Sequence, residues 1–168
     1  FFVNYYPAND LYYYAVKGAG SYKKINDHYT THLNVSDIDN LKNATLVKSR
    51  ISLDEELEEF LDEHKFKNVK EVGSAGLKAG LVAEGEADVY AVMHQRASLW
   101  DTCSSQIILE EAHGKLTDMN GRPIDYRKQD PRLYDGFMVS NEQLHDAFID
   151  LNKMYRKRNH SFNFRNVS

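Results

Sequence analysis

Short runs of β-branched and aromatic residues alternate with amphipathic segments along this chain, and this alternation limits the fold more than any other feature. Residues 44–48, 66–72 and 88–93 predict strands, whereas residues 75–84 and 101–112 predict helices. Strands that alternate with helices build stacked layers of sheet and helix around a common core. The pattern therefore predicts an α/β layer sandwich.

The first part of the chain is a series of predicted antiparallel strands. Residues 1–6 and 11–17 flank Pro7-Ala8-Asn9-Asp10, a composition typical of a hairpin turn, and Gly18-Ala19-Gly20 allows a second turn into residues 21–25. Most of the 11 tyrosines lie here, with few basic residues between them. We interpret them as strand packing rather than as a surface on which bases stack.

Two helices carry start signals, because Ser52 with Glu55 and Ser140 with Gln143 fit capping boxes. The first helix has an apolar face and an acidic face, which indicates a solvated surface; the alternative, a cation site, lacks calcium-loop spacing. The apolar positions are Leu53, Leu57, Phe60 and Leu61, and the acidic ones are Asp54, Glu55, Glu56, Glu58, Glu59, Asp62 and Glu63. In the last helix the apolar stripe is Leu144, Phe148, Leu151 and Tyr155.

Composition excludes several classes of protein. With 168 residues, the chain is long enough for one real core. Its net charge of -4 offers no general attraction to nucleic acid. The sequence has no apolar run of membrane-spanning length and no secretory signal pattern, and its single cysteine permits no internal disulfide. We expect a globular cytoplasmic protein that has neither nucleic acid nor membrane as a partner.

The segment Gly73-Ser74-Ala75-Gly76-Leu77-Lys78 has the composition of a phosphate-binding helix start. A helix N-terminus presents unpaired N–H groups and the positive end of the dipole, and the small residues Gly73, Ser74 and Ala75 let a ligand approach closely. Lys78, one turn further, adds a positive charge. The alternative, which the spacing alone favours, is that Ser74 only caps a helix while Lys78 points into water.

Asp101 also has a structural and a functional interpretation, as a helix N-cap or as a metal ligand. Asp is a preferred N-cap, so Asp101 fits the start of the helix, with Cys103, Ile107, Ile108 and Ala112 facing the core. A carboxylate at a helix start also stays ionised and offers oxygen to a hard cation such as Mg²⁺. One carboxylate does not complete a magnesium site, and the sequence shows no convincing second cluster.

Four separated segments resemble the inositol monophosphatase superfamily, whose members are magnesium-dependent, lithium-sensitive phosphatases. These segments are residues 11–20, residues 73–88, Trp100-Asp101-Thr102-Cys103 and residues 114–118. The Trp-Asp-Thr-Cys form and Lys78 resemble the 3'(2'),5'-bisphosphate nucleotidase branch. The resemblance implies the layered α-β-α-β sandwich of the sugar phosphatases, here its C-terminal portion with a mixed sheet flanked by helices.

The same resemblance implies a site and a reaction. Asp101 is similar to a catalytic, metal-binding aspartate of the family, and the implied cofactor is Mg²⁺. The positions that match substrate-binding residues of the family are Gly73, Ser74, Ala75, Lys78 and Ser49. The implied reaction is hydrolysis of adenosine 3',5'-bisphosphate to AMP and phosphate, with an inositol phosphate as the alternative substrate.

The sequence departs from the family pattern at its start. The upstream Glu and the Asp-Pro-x-Asp-Gly-Thr run that supply the family's first metal ligands are absent. We expect residues 1–35 to end an N-terminal metal-binding subdomain, residues 36–158 to form a C-terminal α/β subdomain and residues 159–168 to be a loose basic tail. The missing N-terminal portion is then a partner needed for activity. An alternative of another class is a non-catalytic phosphate-binding or scaffold protein.

Overall fold

The computed structural model describes residues 1–26, 28–51, 54–66, 68–93 and 97–163, with side chains described as far as residue 159. The described elements form one antiparallel and one mixed sheet, and α-helices separate and cover them. The α/β fold with a mixed sheet flanked by helices is therefore confirmed.

The first sheet is antiparallel, with the strand order β1-β2-β3-β4. A short 3-10 turn, Pro7–Asn9, joins the first two strands at the predicted hairpin. Sequence analysis missed the fourth strand because all of its residues are exposed, so it has no inward apolar residues to reveal it. The strands are β1 Phe2–Tyr6, β2 Leu11–Val16, β3 Gly20–Ile25 and β4 Tyr29–His32.

The second sheet is mixed, with the order β6-β5-β7-β9-β8. Its first three strands in that order are parallel, whereas β9 is antiparallel to both of its neighbours. The strands are β5 Thr45–Ser49, β6 Asn68–Val72, β7 Val89–Val92, β8 Gly114–Asp118 and β9 Phe137–Asn141.

The helices form two layers, one on each face of the second sheet. α2 Ala75–Ala83 and α3 Cys103–Glu110 lie between the sheets and share a core with both of them. α1 Glu55–His64 and α4 Glu142–Asn163 cover the outer face, where they share a second core with the mixed sheet. The order of layers is sheet, helices, sheet, helices.

No described helix is long and apolar enough to cross a membrane.

Tyr13 fixes the position of α2 against the first sheet. Its ring lies so close to Gly80 that a Cβ added there would come within 2.5 Å of it. Its hydroxyl donates to Glu84 Oε1 at 2.7 Å, and Lys23 pairs with the same carboxylate. The packing interpretation of the tyrosines is confirmed for Tyr13, which is buried.

The predicted start of α1 is wrong. Asp54 precedes the helix, and its two carboxylate oxygens accept hydrogen bonds from Leu57 N at 3.2 Å and Met93 N at 2.8 Å. Asp54 is therefore a buried link between α1 and the end of β7, not part of the solvated acidic face. The predicted cap Ser52 and its neighbour Leu53 lie outside the described residues.

The predicted start of α4 is also wrong, because Asn141 takes the capping role. Its Oδ1 accepts from Leu144 N at 2.9 Å, whereas Ser140 belongs to β9 and is buried. Asn and Ser are comparably good N-cap residues, so capping by Asn141 instead of Ser140 costs no stability. α4 continues to Asn163, so residues 159–163 extend the helix instead of starting a loose tail.

Candidate active site

Asp101 stands between two cavities and contributes to the wall of both. The first cavity, of about 160 Å³, lies against the second sheet. The second, of about 320 Å³, lies between β1 and the first turns of α2 and α3. Ala75, at the start of α2, is also shared by both walls. The structure therefore brings Asp101 and the start of α2 together, although they are far apart in sequence.

The prediction that Asp101 is the N-cap of an α-helix is wrong. It ends a short 3-10 turn, Leu99–Asp101, which Ser98 caps, and α3 begins only at Cys103. Asp101 Oδ2 accepts from Ser98 N at 2.9 Å, as the far residue of a capping box. Its Oδ1 has no hydrogen bond to any described residue. One oxygen thus orients the side chain, and the other is free to bind a ligand.

The inward position predicted for Cys103 is wrong as well. Because the 3-10 turn delays the start of α3, Cys103 becomes the first residue of the helix and is exposed. The other predicted core positions are better placed, since Ile108 and Ala112 are buried.

Lys78 lines the first cavity and is only 3% exposed. Its Nζ donates to Ser74 O at 3.0 Å and lies 4.9 Å from the centre of the Tyr90 ring. Burial lowers the pKa of Lys78 to about 8, and the negative charge of Asp101 acts in the opposite direction. The alternative in which Lys78 points into water is therefore wrong. A buried ammonium with a single carbonyl partner favours an additional anionic partner.

The opposite wall of the first cavity carries Ser49, at the end of β5, and a charge pair that sequence analysis missed. Lys48 Nζ donates to both carboxylate oxygens of Glu58, at 2.6 and 2.7 Å, and these hydrogen bonds raise the pKa of Lys48. Because that pair is internally neutralised, Lys78 supplies the positive charge that the described lining of this cavity offers to a ligand. A lysine inside an apolar strand run was the signal that could have pointed to this wall.

Ser74 belongs to the second cavity. It has a φ of 60° and makes no side-chain capping bond to α2, so the alternative in which it only caps the helix is wrong. Burial raises the pKa of Tyr6, whose hydroxyl hydrogen bonds with Ser74. Gly73 lines neither cavity. The predicted substrate residues are therefore divided, with Lys78 and Ser49 in the first cavity and Ser74 in the second.

Sequence analysis also missed the polar residues that β1 and α3 contribute to the second cavity. Asn4 faces inward because it pairs with the buried Tyr13, and its Oδ1 accepts from Ser104 Oγ at 2.7 Å. A polar residue at an inward position of a strand was the available signal, but it required the register of the hairpin.

Asp101 fits one position of a magnesium site and no more. Its free carboxylate oxygen is the hard donor that Mg²⁺ prefers. Among the described residues, no group of three or more His, Cys, Asp or Glu side chains could hold a metal ion. A larger cavity of about 810 Å³, beside Leu41, Phe66 and Leu151, contains none of the predicted site residues.

Comparison with known proteins shows the family of the chain. The model of the inositol monophosphatase family matches residues 3–153. The chain belongs to the inositol monophosphatase family. It is 31% identical over 163 residues to a bifunctional NADP phosphatase/NAD kinase from Methanocaldococcus jannaschii, covering 90% of this chain and 28% of that protein. It is 30% identical over 133 residues to the 3'(2'),5'-bisphosphate nucleotidase CysQ from Aggregatibacter actinomycetemcomitans, covering 78% of this chain and 48% of that protein.

The fold is also found in solved structures of the family. An inositol monophosphatase from Anabaena superposes with a TM-score of 0.71 at 26% identity, covering 90% of this chain and 57% of that one. The chain thus spans about a quarter to somewhat over half of the length of these family members.

Proposed function

We propose that this chain is the C-terminal portion of a magnesium-dependent phosphomonoesterase, and that its substrate is a 3'(2'),5'-bisphosphate nucleotide. The proposed reaction hydrolyses adenosine 3',5'-bisphosphate to AMP and phosphate. The observation that carries the proposal is that Asp101, with one free carboxylate oxygen, and the buried ammonium of Lys78 line the same small cavity. The similarity to a bisphosphate nucleotidase supports the same substrate class.

Lys78 binds a phosphate group of the substrate. Its pKa of about 8 leaves it largely protonated at neutral pH, and its burial strengthens attraction to an anion because little water screens the charge. The first N–H groups of α2, beginning at Ala75, add donors and the positive end of the helix dipole. Ser49 offers a hydroxyl from the opposite wall.

Asp101 holds one side of the metal ion through its free oxygen. When bound, Mg²⁺ lowers the pKa of a coordinated water and neutralises charge on the phosphoryl oxygens. The Ser98 N–H keeps the carboxylate in position through its other oxygen. We propose that the remaining metal ligands come from an N-terminal portion of the protein that precedes residues 1–35. We further propose inhibition by lithium and a cytoplasmic location.

Two other phosphate esters are alternative substrates of the same chemistry. An inositol phosphate is favoured by the similarity to inositol monophosphatases of known structure. The 2'-phosphate of NADP is favoured by the similarity to a bifunctional NADP phosphatase/NAD kinase. A phosphate-binding scaffold without catalysis remains the alternative of another class, because the described residues contain no complete metal cluster.

Phosphate release from the intact protein that contains this chain tests the proposal. The substrates are adenosine 3',5'-bisphosphate, myo-inositol 1-phosphate and NADP, each with Mg²⁺ and with excess chelator. We expect magnesium-dependent release, fastest from the bisphosphate. The Asp125→Asn variant is a matched control, because this carboxylate, 40% exposed, lies outside both cavities. Faster release from either other ester would reassign the substrate, and no release from any of them would favour the scaffold.

A further inference from the structure

Two backbone hydrogen bonds join the loop between β8 and β9, residues 119–136, to the start of the 3-10 turn. Leu99 N donates to Pro131 O at 2.8 Å, and Leu133 N donates to Ala97 O at 2.9 Å. Leu133 and Ala97 are buried in the core that α2 and α3 share with both sheets. Because one end of this pairing lies in the core, the loop cannot shift away without exposing apolar surface. The loop therefore fixes the backbone that leads into the turn.

Ser98 transmits this constraint to Asp101. It forms a β-bridge with Arg132 of the loop, and its backbone is extended, with a φ of -133° and a ψ of 162°. An N-cap residue adopts such an extended conformation, so the bridge holds Ser98 in the conformation that caps the turn. In that conformation the Ser98 N–H donates to Asp101 Oδ2 at 2.9 Å. The loop thus fixes the donor that orients the carboxylate.

Tyr126 attaches the same loop to the chain just after Asp101. Its hydroxyl donates to Gln106 Oε1 at 2.6 Å and lies 3.2 Å from Thr102 Oγ1. Gln106 Nε2 donates to Glu110 Oε1 at 2.7 Å, which fixes the end of the amide that faces the tyrosine. Thr102 is buried and directly follows Asp101 in sequence. The loop therefore contacts the chain on both sides of Asp101.

The turn needs these outside contacts to hold Asp101 in place. It has three residues in a 3-10 geometry, whose hydrogen bonds are poorer than those of an α-helix. The regular hydrogen bonds of α3 begin only at Cys103. A functional side chain must be held within about 0.5 Å of its productive position. The β8–β9 loop provides contacts that can hold Asp101 this closely.

We propose that Tyr126 is a positioning residue for the phosphatase reaction, which holds Asp101 in its orientation through the hydroxyl contacts to Gln106 and Thr102. The inference rests on the proposed function, in which the free oxygen of Asp101 binds the metal ion. Tyr126 lines neither cavity, so its effect on a ligand passes through Asp101. Groups that orient a metal ligand from outside affect metal affinity or activity about 10–100-fold.

Tyr126→Phe and Tyr134→Phe are matched variants of the intact protein. Each removes one tyrosine hydroxyl of the same loop, but the Tyr134 hydroxyl donates to Asp130 Oδ2 at 2.8 Å, within the loop. Tyr134 also lines neither of the two cavities. The side chains of Tyr126 and Tyr134 are 39% and 50% exposed, so neither substitution opens a void in the core. We expect both variants to fold.

Hydrogen exchange in peptides that span residues 97–102, followed by mass spectrometry, reports on the turn without turnover. We expect Tyr126→Phe to speed exchange about threefold to tenfold, the effect of one hydrogen bond, and Tyr134→Phe to leave it unchanged. Titration with Mg²⁺ should show a loss of affinity by the same factor for Tyr126→Phe alone.

Kinetics with adenosine 3',5'-bisphosphate separate positioning of Asp101 from binding of the ester. We expect Tyr126→Phe to lower kcat about threefold to tenfold. The KM for the ester should be unchanged, because Lys78 keeps its contacts. Tyr134→Phe should change neither constant.

Equal exchange rates or equal Mg²⁺ affinities in the two variants would overturn the proposal, as would a raised KM with an unchanged kcat. These outcomes are separate from a failure of the proposed function. Faster exchange in Tyr126→Phe, with no phosphate release by the wild type, contradicts the phosphatase but supports the link between Tyr126 and the turn. Phosphate release that Tyr126→Phe leaves unchanged keeps the phosphatase but removes the positioning role.

Discussion

The buried polar groups around Asp101 and those beneath α4 differ in how well their hydrogen bonds are satisfied. Beneath α4, Asn141 Nδ2 donates to Ser36 O and Ile38 O while its Oδ1 accepts from Leu144 N. Around Asp101, the ammonium of Lys78 has one carbonyl partner. The unpaired atoms of this region are Asn4 Nδ2 and Ser105 Oγ.

We interpret the hydrogen-bonded polar groups beneath α4 as groups that stabilise the fold. We interpret the unpaired polar groups around Asp101 as groups that bind a ligand. Buried polar groups are normally hydrogen bonded, so a cluster of exceptions in one cleft indicates function. Ser21 Oγ and Asn152 Oδ1 are also unpaired, but neither residue lines the two cavities. Asn152, a buried residue of α4, is the exception in the region beneath that helix, and its Nδ2 donates to Met119 O at 3.0 Å. Substitution should therefore destabilise the protein beneath α4 and impair ligand binding around Asp101.

Asp101→Asn gives the largest expected effect. Asn still accepts the Ser98 N–H but is a poorer ligand for a hard cation, so the fold is kept while catalysis is lost. We expect the turnover of the intact protein to fall by about two to three orders of magnitude, with an unchanged midpoint of thermal unfolding. Wild-type turnover in this variant would place the metal elsewhere.

The pH dependence of the free energy of unfolding tests the region beneath α4, where His145 is buried. Its ring nitrogens lie 2.9 Å from Thr117 Oγ1 and 2.8 Å from Ser140 Oγ. Burial, assisted by Lys115 and opposed by Asp146, lowers the pKa of His145 to about 4. The unfolded chain binds this proton near pH 6.5, so the contribution of His145 to stability is complete above that pH and is lost as the pH falls towards 4.

The expected loss is at most about 3 kcal/mol in the free energy of unfolding. Urea unfolding at several pH values measures it as the difference between the wild type and His145→Gln, which lacks the titrating ring. His28→Gln, at an exposed position, is the control. Parallel pH profiles for the wild type and His145→Gln would show that the ring is not kept neutral by the fold.

Asn141→Ala tests the same region without a titration. It removes the α4 cap and leaves the carbonyls of Ser36 and Ile38 and the N–H of Leu144 without their partner. We expect a loss of about 2–3 kcal/mol in the free energy of unfolding, measured by urea denaturation. A loss under about 0.5 kcal/mol would mean that water replaces these bonds easily.

Lys78→Met gives the smallest expected effect. It should raise the free energy of unfolding, whereas Asn141→Ala should lower it. Because burial disfavours the charged ammonium, its removal should raise the free energy of unfolding by about 1–2 kcal/mol. The same change should raise the KM of the intact protein for its phosphate ester about tenfold. Lower stability with an unchanged KM would make Lys78 a structural residue.

Sequence periodicity predicted the layers because burial of one face decides where helices and strands form. The helix starts were harder to predict, since neighbouring polar residues compete for the same cap. Asp54 caps α1, and its second oxygen binds Met93 N, a contact made only in the folded chain and therefore not predictable from local sequence. α3 begins later than predicted because Ser98 caps a 3-10 turn that precedes the helix. Cys103 is therefore the first residue of α3, and it is exposed.

The site was predictable only in part. The chemistry of helix starts made Asp101 and Lys78 candidates, the resemblance to family motifs selected them, and the structure brings them to one cavity. Asn4 and Ser105 were missed because the second cavity exists only where β1 meets two helix starts that are distant in sequence. The local sequence around Asn4 and Ser105 does not predict this contact between β1 and the two helices.

Binding of a divalent cation tests the central claim most directly. Isothermal titration of the intact protein with Mg²⁺ is compared with the same titration of its Asp101→Asn variant. The account predicts that the wild type binds and that the substitution weakens the affinity at least tenfold, because the Asp101 oxygen that has no hydrogen bond to the described residues is lost. Equal affinities in the two proteins would contradict it.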